Sequence, residues 1–182
     1  MMLFSEKNIS LKDGRTAVLR SPTPADAAEM LHFLKTTAAE TAFLLRYPEE
    51  CMDDVEAEER FLANITASES SIMILCQVGG RIAGNCHLSY RPHFKLRHRG
   101  NIAIALLREY WNLGIGTILF EEMTALAREM GLEQLELTYI EGNDRARALY
   151  DKMGFREVAR IPNAYHLKDG SVRSDIMMIK TL

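Results

Sequence analysis

From Asn101 to Phe155 the chain reads NIAIALLREYWNLGIGTILFEEMTALAREMGLEQLELTYIEGNDRARALYDKMGF, and this stretch decides the fold. Asn101–Leu107 is short and almost wholly apolar, as a buried strand is. Gly114 and Gly116 follow, and from Ile115 the residues Ile118, Leu119, Met123, Leu126, Ala127 and Met130 keep the spacing of one helix face up to Gly131. Glycine at that place is a usual helix stop. Leu135, Leu137 and Tyr139 then alternate with Glu136 and Thr138, which predicts a strand. Ala146, Leu149, Tyr150 and Met153 mark a short helix closed by Gly154. The segment is therefore strand, helix, strand, helix.

Outward from this centre the pattern is simpler. Arg15–Arg20 reads as a strand, and Ala27, Met30, Leu31 and Leu34 follow Pro22 and Pro24 at helical spacing. Asp53–Ala67 is rich in helix formers. Ser71–Val78 and Arg81–Tyr90 are extended candidates joined by Gly79-Gly80, a pair that accepts the positive φ angles of a tight hairpin. Phe155–Arg160 and Ile176–Lys180 are the last strands, with Lys168-Asp169-Gly170 as a turn before the second. The order strand, two helices, three strands, helix, strand, helix, two strands predicts an α/β (α+β) fold, a mixed sheet with helices on its faces.

Composition narrows the function classes. At 182 residues, without a repeat or a Pro/Gly/Ser linker, the chain reads as one domain over residues 1–182. A net charge of −3 supplies no global field toward nucleic acid or a membrane surface. No run approaches the ~18 apolar residues of a membrane helix, and the first residues, MMLFSEKNISLKDG, lack the basic and apolar regions of a secretory signal. The odd set Cys51, Cys76 and Cys86 shows no C-x-x-C spacing. We expect a reduced, cytoplasmic protein with no bound metal.

The first stretch with chemical content is Tyr110-Trp111-Asn112-Leu113-Gly114-Ile115-Gly116-Thr117, between a strand and a long amphipathic helix. A helix start presents backbone N–H groups without internal partners and a partial positive charge, and glycine lets a phosphate approach them. A plain flexible turn has the same letters. Two nucleotide-binding patterns fail outright. The chain contains no Gly-Lys pair for a P-loop, and Leu119 stands where a dinucleotide fingerprint needs its third small residue.

The second stretch is Asn143-Asp144-Arg145-Ala146-Arg147-Ala148-Leu149-Tyr150, then Gly154-Phe155. Together the two resemble the core motifs of the GNAT acetyltransferase superfamily: a pyrophosphate loop R/Q-x-x-G-x-G/A and a downstream N-x-x-A-x-x-L-Y-x-x-x-G-F. The separation of one helix and one strand also agrees. The resemblance covers Asn101–Phe155 in detail and the N-terminal half in element order. One letter departs: Trp111 stands where the family often has Arg or Gln, a Tyr-Trp variant familiar among bacterial members.

The resemblance implies a mixed, mostly antiparallel central sheet flanked by helices, with acetyl-coenzyme A in a splay between two central strands. It implies an N-acetyltransferase that brings amine and thioester together for direct attack, without an acetyl-enzyme. Residues carried over are the backbone of Leu113, Gly114, Ile115, Gly116 and Thr117 for phosphate, and the exposed backbone of Ile104, Ala105 and Leu106 for the pantetheine arm. Asn143 matches the residue that hydrogen-bonds that arm, and a helix N-cap is its other reading. Tyr150 is the candidate general acid toward the departing thiolate, and its other reading is packing. For the base, Glu141 follows the splayed strand, His98 begins the strand of Asn101–Leu107, and a water chain is the third choice.

The acceptor is an amine: a small amine, a polyamine or a protein N-terminus. A homodimer is compatible with the sequence. A coenzyme A-binding regulatory protein without turnover is the other class on the same scaffold. The basic run Lys95-Leu96-Arg97-His98-Arg99 reads as a solvated hairpin, a nucleic-acid or acidic-partner patch, or a contact to the coenzyme's 3′-phosphate.

Overall fold

The computed structural model describes residues 3–182. Its elements are β1 (Lys7–Ser10), β2 (Thr16–Arg20), α1 (Ala27–Glu40), α2 (Val55–Ala67), β3 (Ser71–Val78), β4 (Arg81–Tyr90), β5 (Arg99–Leu106), α3 (Ile115–Glu129), β6 (Gln134–Ile140), α4 (Asp144–Lys152), β7 (Arg156–His166) and β8 (Val172–Thr181). The strands form one sheet in the order β1-β2-β3-β4-β5-β6-β8-β7. Every neighbouring pair is antiparallel except β5 with β6.

Three elements differ from the sequence expectation, one of them β8, which starts at Val172 and not at Ile176 because Val172 and Arg173 pair with His166 and Tyr165. β1 is absent from it because Lys-Asn-Ile-Ser carries one apolar residue and shows no alternation; the strand exists by backbone pairing to β2 at the sheet edge. β7 runs on past Arg160 to His166, because pairing with β8 resumes at Tyr165 after an irregularity that takes up Pro162 and the left-handed Asn163.

Helices cover both faces. On β4, the Asn85 amide lies 3.9 Å from the Met30 sulfur of α1. The next side chain, Cys86, is directed at the opposite face, where its burial pushes the thiol up. β3 is accordingly buried at every residue from Ile72 to Cys76. Phe33 of α1 and Phe120 of α3 anchor the two layers, both almost fully inaccessible. Truncating either to alanine costs about 3–5 kcal/mol by the usual cavity cost. Among the described residues no helix is long and apolar enough to cross a membrane.

The entry to α1 rests on one charge pair. Arg20, the last residue of β2, donates to both carboxylate oxygens of Asp26, at 2.8 and 2.5 Å, and the Thr23 N–H adds a bond of 2.7 Å. Burial works to raise the Asp26 pKa, but the Arg20 and Thr23 hydrogen bonds outweigh it and hold the carboxyl below the ordinary aspartate value. A lowered folded-state pKa gives stability that is present above the unfolded value and lost as pH falls through the folded one. We expect Asp26→Asn to cost about 3 kcal/mol in urea unfolding at pH 7, because Arg20 is left without its counter-charge. The difference from wild type should shrink in acid; a cost independent of pH would show that the ion pair is not its source.

Candidate active site

The decisive geometry is the contact between β5 and β6. Pairing is limited to Arg99 with Gln134, Gly100 with Leu135 and Asn101 with Glu136, after which the two parallel strands part. On its other side β5 stays paired with β4 as far as Leu106 opposite Gly84. From Ile102 onward β5 therefore offers one free backbone edge. A cavity of about 1370 Å³ opens there, lined by Ile104, Ala105 and Leu106 on one side and by Thr138, Tyr139 and Ile140 on the other.

At the end of β5 the chain turns into α3, and the turn lines the same cavity at Gly114, Gly116 and Thr117. Gly114 is the residue before the helix and has φ +94°, a left-handed conformation that a side chain would strain, and no side chain caps the helix start. The first N–H groups of α3 thus have neither an internal partner nor a cap. Gly116 answers a different need. A Cβ there would lie 3.0 Å from Leu149 Cδ2 and 3.5 Å from Leu106 Cδ1, so this glycine lets α3 press against α4. Leu113 and Ile115 do not line the cavity. The Leu113 carbonyl accepts from Lys12 N–H at 3.2 Å, and the Ile115 side chain lies in the core.

α4 closes the other side. Asn143 caps it, its side-chain oxygen accepting from Ala146 N–H at 3.2 Å, and Asn143 also lines the cavity. Tyr150 of α4 is 7% exposed, with its ring 5.7 Å from those of Phe120 and Tyr139. Burial pushes its phenol above the ordinary value, with the neighbouring Cys86 and Tyr139 adding to the shift. Among the described residues nothing hydrogen-bonds its hydroxyl, and the residue lines the cavity.

The expected bases fare differently. Glu141 does not line the cavity: one carboxylate oxygen pairs with Arg160 and the other accepts from Ser174 N–H at 3.2 Å. Hydrogen bonds from Ser174 and then from Arg160 hold its pKa below the ordinary value, the reverse of what a base near neutrality needs. His98 precedes β5 at the end opposite the glycine turn. Its carbonyl accepts from Glu133 and Gln134 N–H at 2.8 and 3.2 Å. β5 begins at Arg99 and carries the chain over eight residues to Leu106, roughly 23 Å at 3.3 Å per step, away from the basic run Lys95–Arg99. Arg99 itself is paired with Glu136.

Several wall residues carried no sequence signal. Lys12, from the β1–β2 turn, reaches the Gly114 turn, and the Lys152 ammonium donates to Thr117 Oγ1 at 3.0 Å. Arg145 stacks over Trp111. Across the cavity stand Phe43, Leu44 and Leu45 from the α1–α2 connection, and Tyr165 from β7. That connection is tied to the β7–β8 turn: Lys168 N–H donates to Tyr47 Oη at 2.9 Å, its ammonium lies 4.3 Å from the Tyr47 ring centroid, and it pairs with Glu49. Arg145 and Lys152 stand inside or just after the second motif, where a reader could have weighed them. Phe43 and Tyr165 come from segments without a pattern.

Among the described residues no group of three or more His, Cys, Asp or Glu is placed to hold a metal ion. The residues do suit a long thioester cosubstrate ending in phosphates. A free strand edge of β5 leads from Tyr150 to an uncapped helix start with cations beside it.

Comparison with known proteins agrees with this geometry. The family model described as Acetyltransferase (GNAT) family matches residues 36–155. A GNAT-family acetyltransferase from Streptococcus pneumoniae is 30% identical, with 91% of this chain and 99% of that one covered and a TM-score of 0.85. A ribosomal-protein-alanine N-acetyltransferase from Brucella melitensis shares the fold at 23% identity, with 90% and 99% covered and a TM-score of 0.78. So does yncA from Salmonella typhimurium, solved with its cofactor acetyl-CoA, at 16% identity, 91% and 94% coverage and a TM-score of 0.78. No curated protein matches the sequence. With a parted β5–β6 pair, an uncapped glycine turn before α3 and a family match over 36–155, the chain belongs to the GNAT acetyltransferase family.

Proposed function

We propose that the protein transfers an acetyl group from acetyl-coenzyme A to a primary amine by direct attack, with both substrates held in the one cavity. The observation that carries this reading is that buried Tyr150 of α4 lines the same cavity as the free edge of β5 and the parted end of β6. The free backbone of Ile104–Leu106 pairs with the pantetheine arm as an added strand would. N–H groups at the start of α3 take the pyrophosphate. Holding amine and thioester in this order supplies much of the rate through orientation.

Tyr150 donates its proton to the departing thiolate. Burial that disfavours the phenolate also disfavours a bare thiolate in the same place, so the two pKa values rise together and the transfer stays feasible. Asn143 holds the α4 start and turns its remaining amide donors toward the arm. With Glu141 held by Arg160 and Ser174, we assign the base role to solvent in the open end of the cavity. The acceptor enters between the Thr41–Leu45 segment and Tyr165. A small amine, a polyamine or a protein N-terminus meets this requirement, and the name of the Brucella protein favours the last. Three free thiols accord with a cytoplasmic site of action.

The reading is tested by following thiol release from acetyl-coenzyme A over a panel of small amines, polyamines and peptides with free N-termini. Turnover that depends on the acceptor supports it; binding without turnover on any amine would make the chain a coenzyme-binding protein. At a hundredfold excess over Kd, acetyl-coenzyme A should stabilise the fold by about 2.7 kcal/mol. An unchanged Tm at millimolar cosubstrate would remove the basis of the proposal.

Tyr150→Phe keeps the ring packing and deletes the hydroxyl. We expect kcat to fall at least about tenfold, toward the 10²–10⁴ range of general acid catalysis, with little change in coenzyme Kd. Because the phenol is raised above its ordinary value of 10.0, it stays protonated through mildly alkaline pH. The wild-type kcat profile should therefore show no descending limb from Tyr150 below about pH 10. A folded Tyr150→Phe enzyme with unchanged kcat would return Tyr150 to a packing role.

A further inference from the structure

The loop Tyr110–Thr117, with Trp111 three residues before Gly114, contains no Lys or Arg, so it brings no cation of its own to the phosphates. We propose that Trp111 is a platform that positions Arg145 of α4 against the pyrophosphate of the coenzyme, so that the missing charge arrives from the second motif. This inference rests on the coenzyme-binding reading above and names which residues of this chain complete it.

The indole is fixed before any ligand arrives. Its Nε1–H donates to the Leu106 carbonyl at 3.1 Å, which pins the ring to the last residue of β5. The Arg145 guanidinium carbon lies 4.5 Å from the ring centroid, and Nη1 donates to Asn112 Oδ1 at 2.7 Å. Asn112 has φ 66°, a left-handed conformation that Asn tolerates better than most side chains. The loop conformation and the arginine contact are therefore coupled. Stacking uses the faces of the guanidinium and leaves most of its in-plane N–H donors free for a phosphate.

Charge accounting on α4 separates Arg145 from its neighbour. Arg147 is neutralised by Asp151 at 3.1 Å and Glu157 at 2.8 Å. Among the described residues Arg145 has no carboxylate partner. It lines the same cavity as the uncapped start of α3 and as Lys12 and Lys152. The other arginine near the indole, Arg108, lies 5.5 Å from the ring centroid but spends its guanidinium on the Glu40 carbonyl. Among the described residues Arg145 is the cation that both stacks on Trp111 and bonds the Asn112 side chain.

The test is calorimetric binding of coenzyme A and of dephospho-coenzyme A, which lacks the 3′-phosphate, to folded wild type, Arg145→Ala, Trp111→Leu and the double variant. We expect Arg145→Ala to weaken both ligands about tenfold or more, and Trp111→Leu to weaken both by a large part of that. The double variant should be little worse than Arg145→Ala alone, because the indole acts through the arginine. Placing the cation directly in the loop, Trp111→Arg in the Arg145→Ala background, should restore most of the affinity.

Three results overturn the proposal. They are wild-type affinity in folded Arg145→Ala, strictly additive losses in the double variant, or a loss seen with coenzyme A but not with the dephospho form, which would move Arg145 to the 3′-phosphate. Failure of wild type to bind either ligand would instead sink the coenzyme reading itself.

Discussion

Everything functional in this molecule depends on two parallel strands that stop pairing. β5 and β6 share only three residue pairs, and the backbone groups of β5 beyond Asn101 face a cavity in place of a neighbour. Unpaired backbone polar groups away from water are costly, so a sheet parts in its middle only where something offsets the loss. Here water in the cavity, or a ligand with its own amides, can do so. The β4–β5 pairing holds the free strand straight, and Phe120, Tyr139, Tyr150 and Phe155 fill the space under the gap.

A network of charged groups lies beside the parted end. Arg147 of α4 bonds Tyr139 Oη at 3.2 Å, Asp151 and Glu157, while Arg160 of β7 joins Glu157 to Glu141. These contacts link the end of β6, the length of α4 and the edge strand β7. Each pair is exposed enough to contribute little alone, and together they tie α4 to the neighbouring strands. Glu141 belongs to this network, bonded to Arg160 and to the Ser174 N–H, and does not line the cavity.

How much of this could be read from the letters follows from how local each feature is. α3 and α4 were legible because their apolar spacing and closing glycines, Gly131 and Gly154, are local signals, and both glycines do adopt positive φ. The hairpin at Gly79-Gly80 was legible for the same reason. β1 was not, since an exposed edge strand needs no apolar alternation. Asn143, Tyr150 and the Gly114 turn come from a pattern tied to chain position, and the structure brings them to one cavity. The partner of Glu141 lies nineteen residues away on another strand, and nothing local announces a contact of that kind. The cavity wall formed by Phe43 and Tyr165 was illegible for a related reason: their segments are tied through the Tyr47–Lys168 contact between two irregular connections.

The one-sided pairing of β5 also has a dynamic signature. In an antiparallel partnership alternate residues point their N–H groups toward the neighbour, so along Ile102–Leu106 every second amide is bonded to β4 and the others face the gap. In the ligand-free protein, deuterium should enter this strand with an odd–even rhythm, rapid at amides open to the cavity and slow at those bonded to β4. A central strand of a folded sheet would thus exchange as if half of it lay at an edge. An amide-bearing arm laid along the gap would erase the rhythm, turning the strand into an internal reporter of whether the cleft is filled.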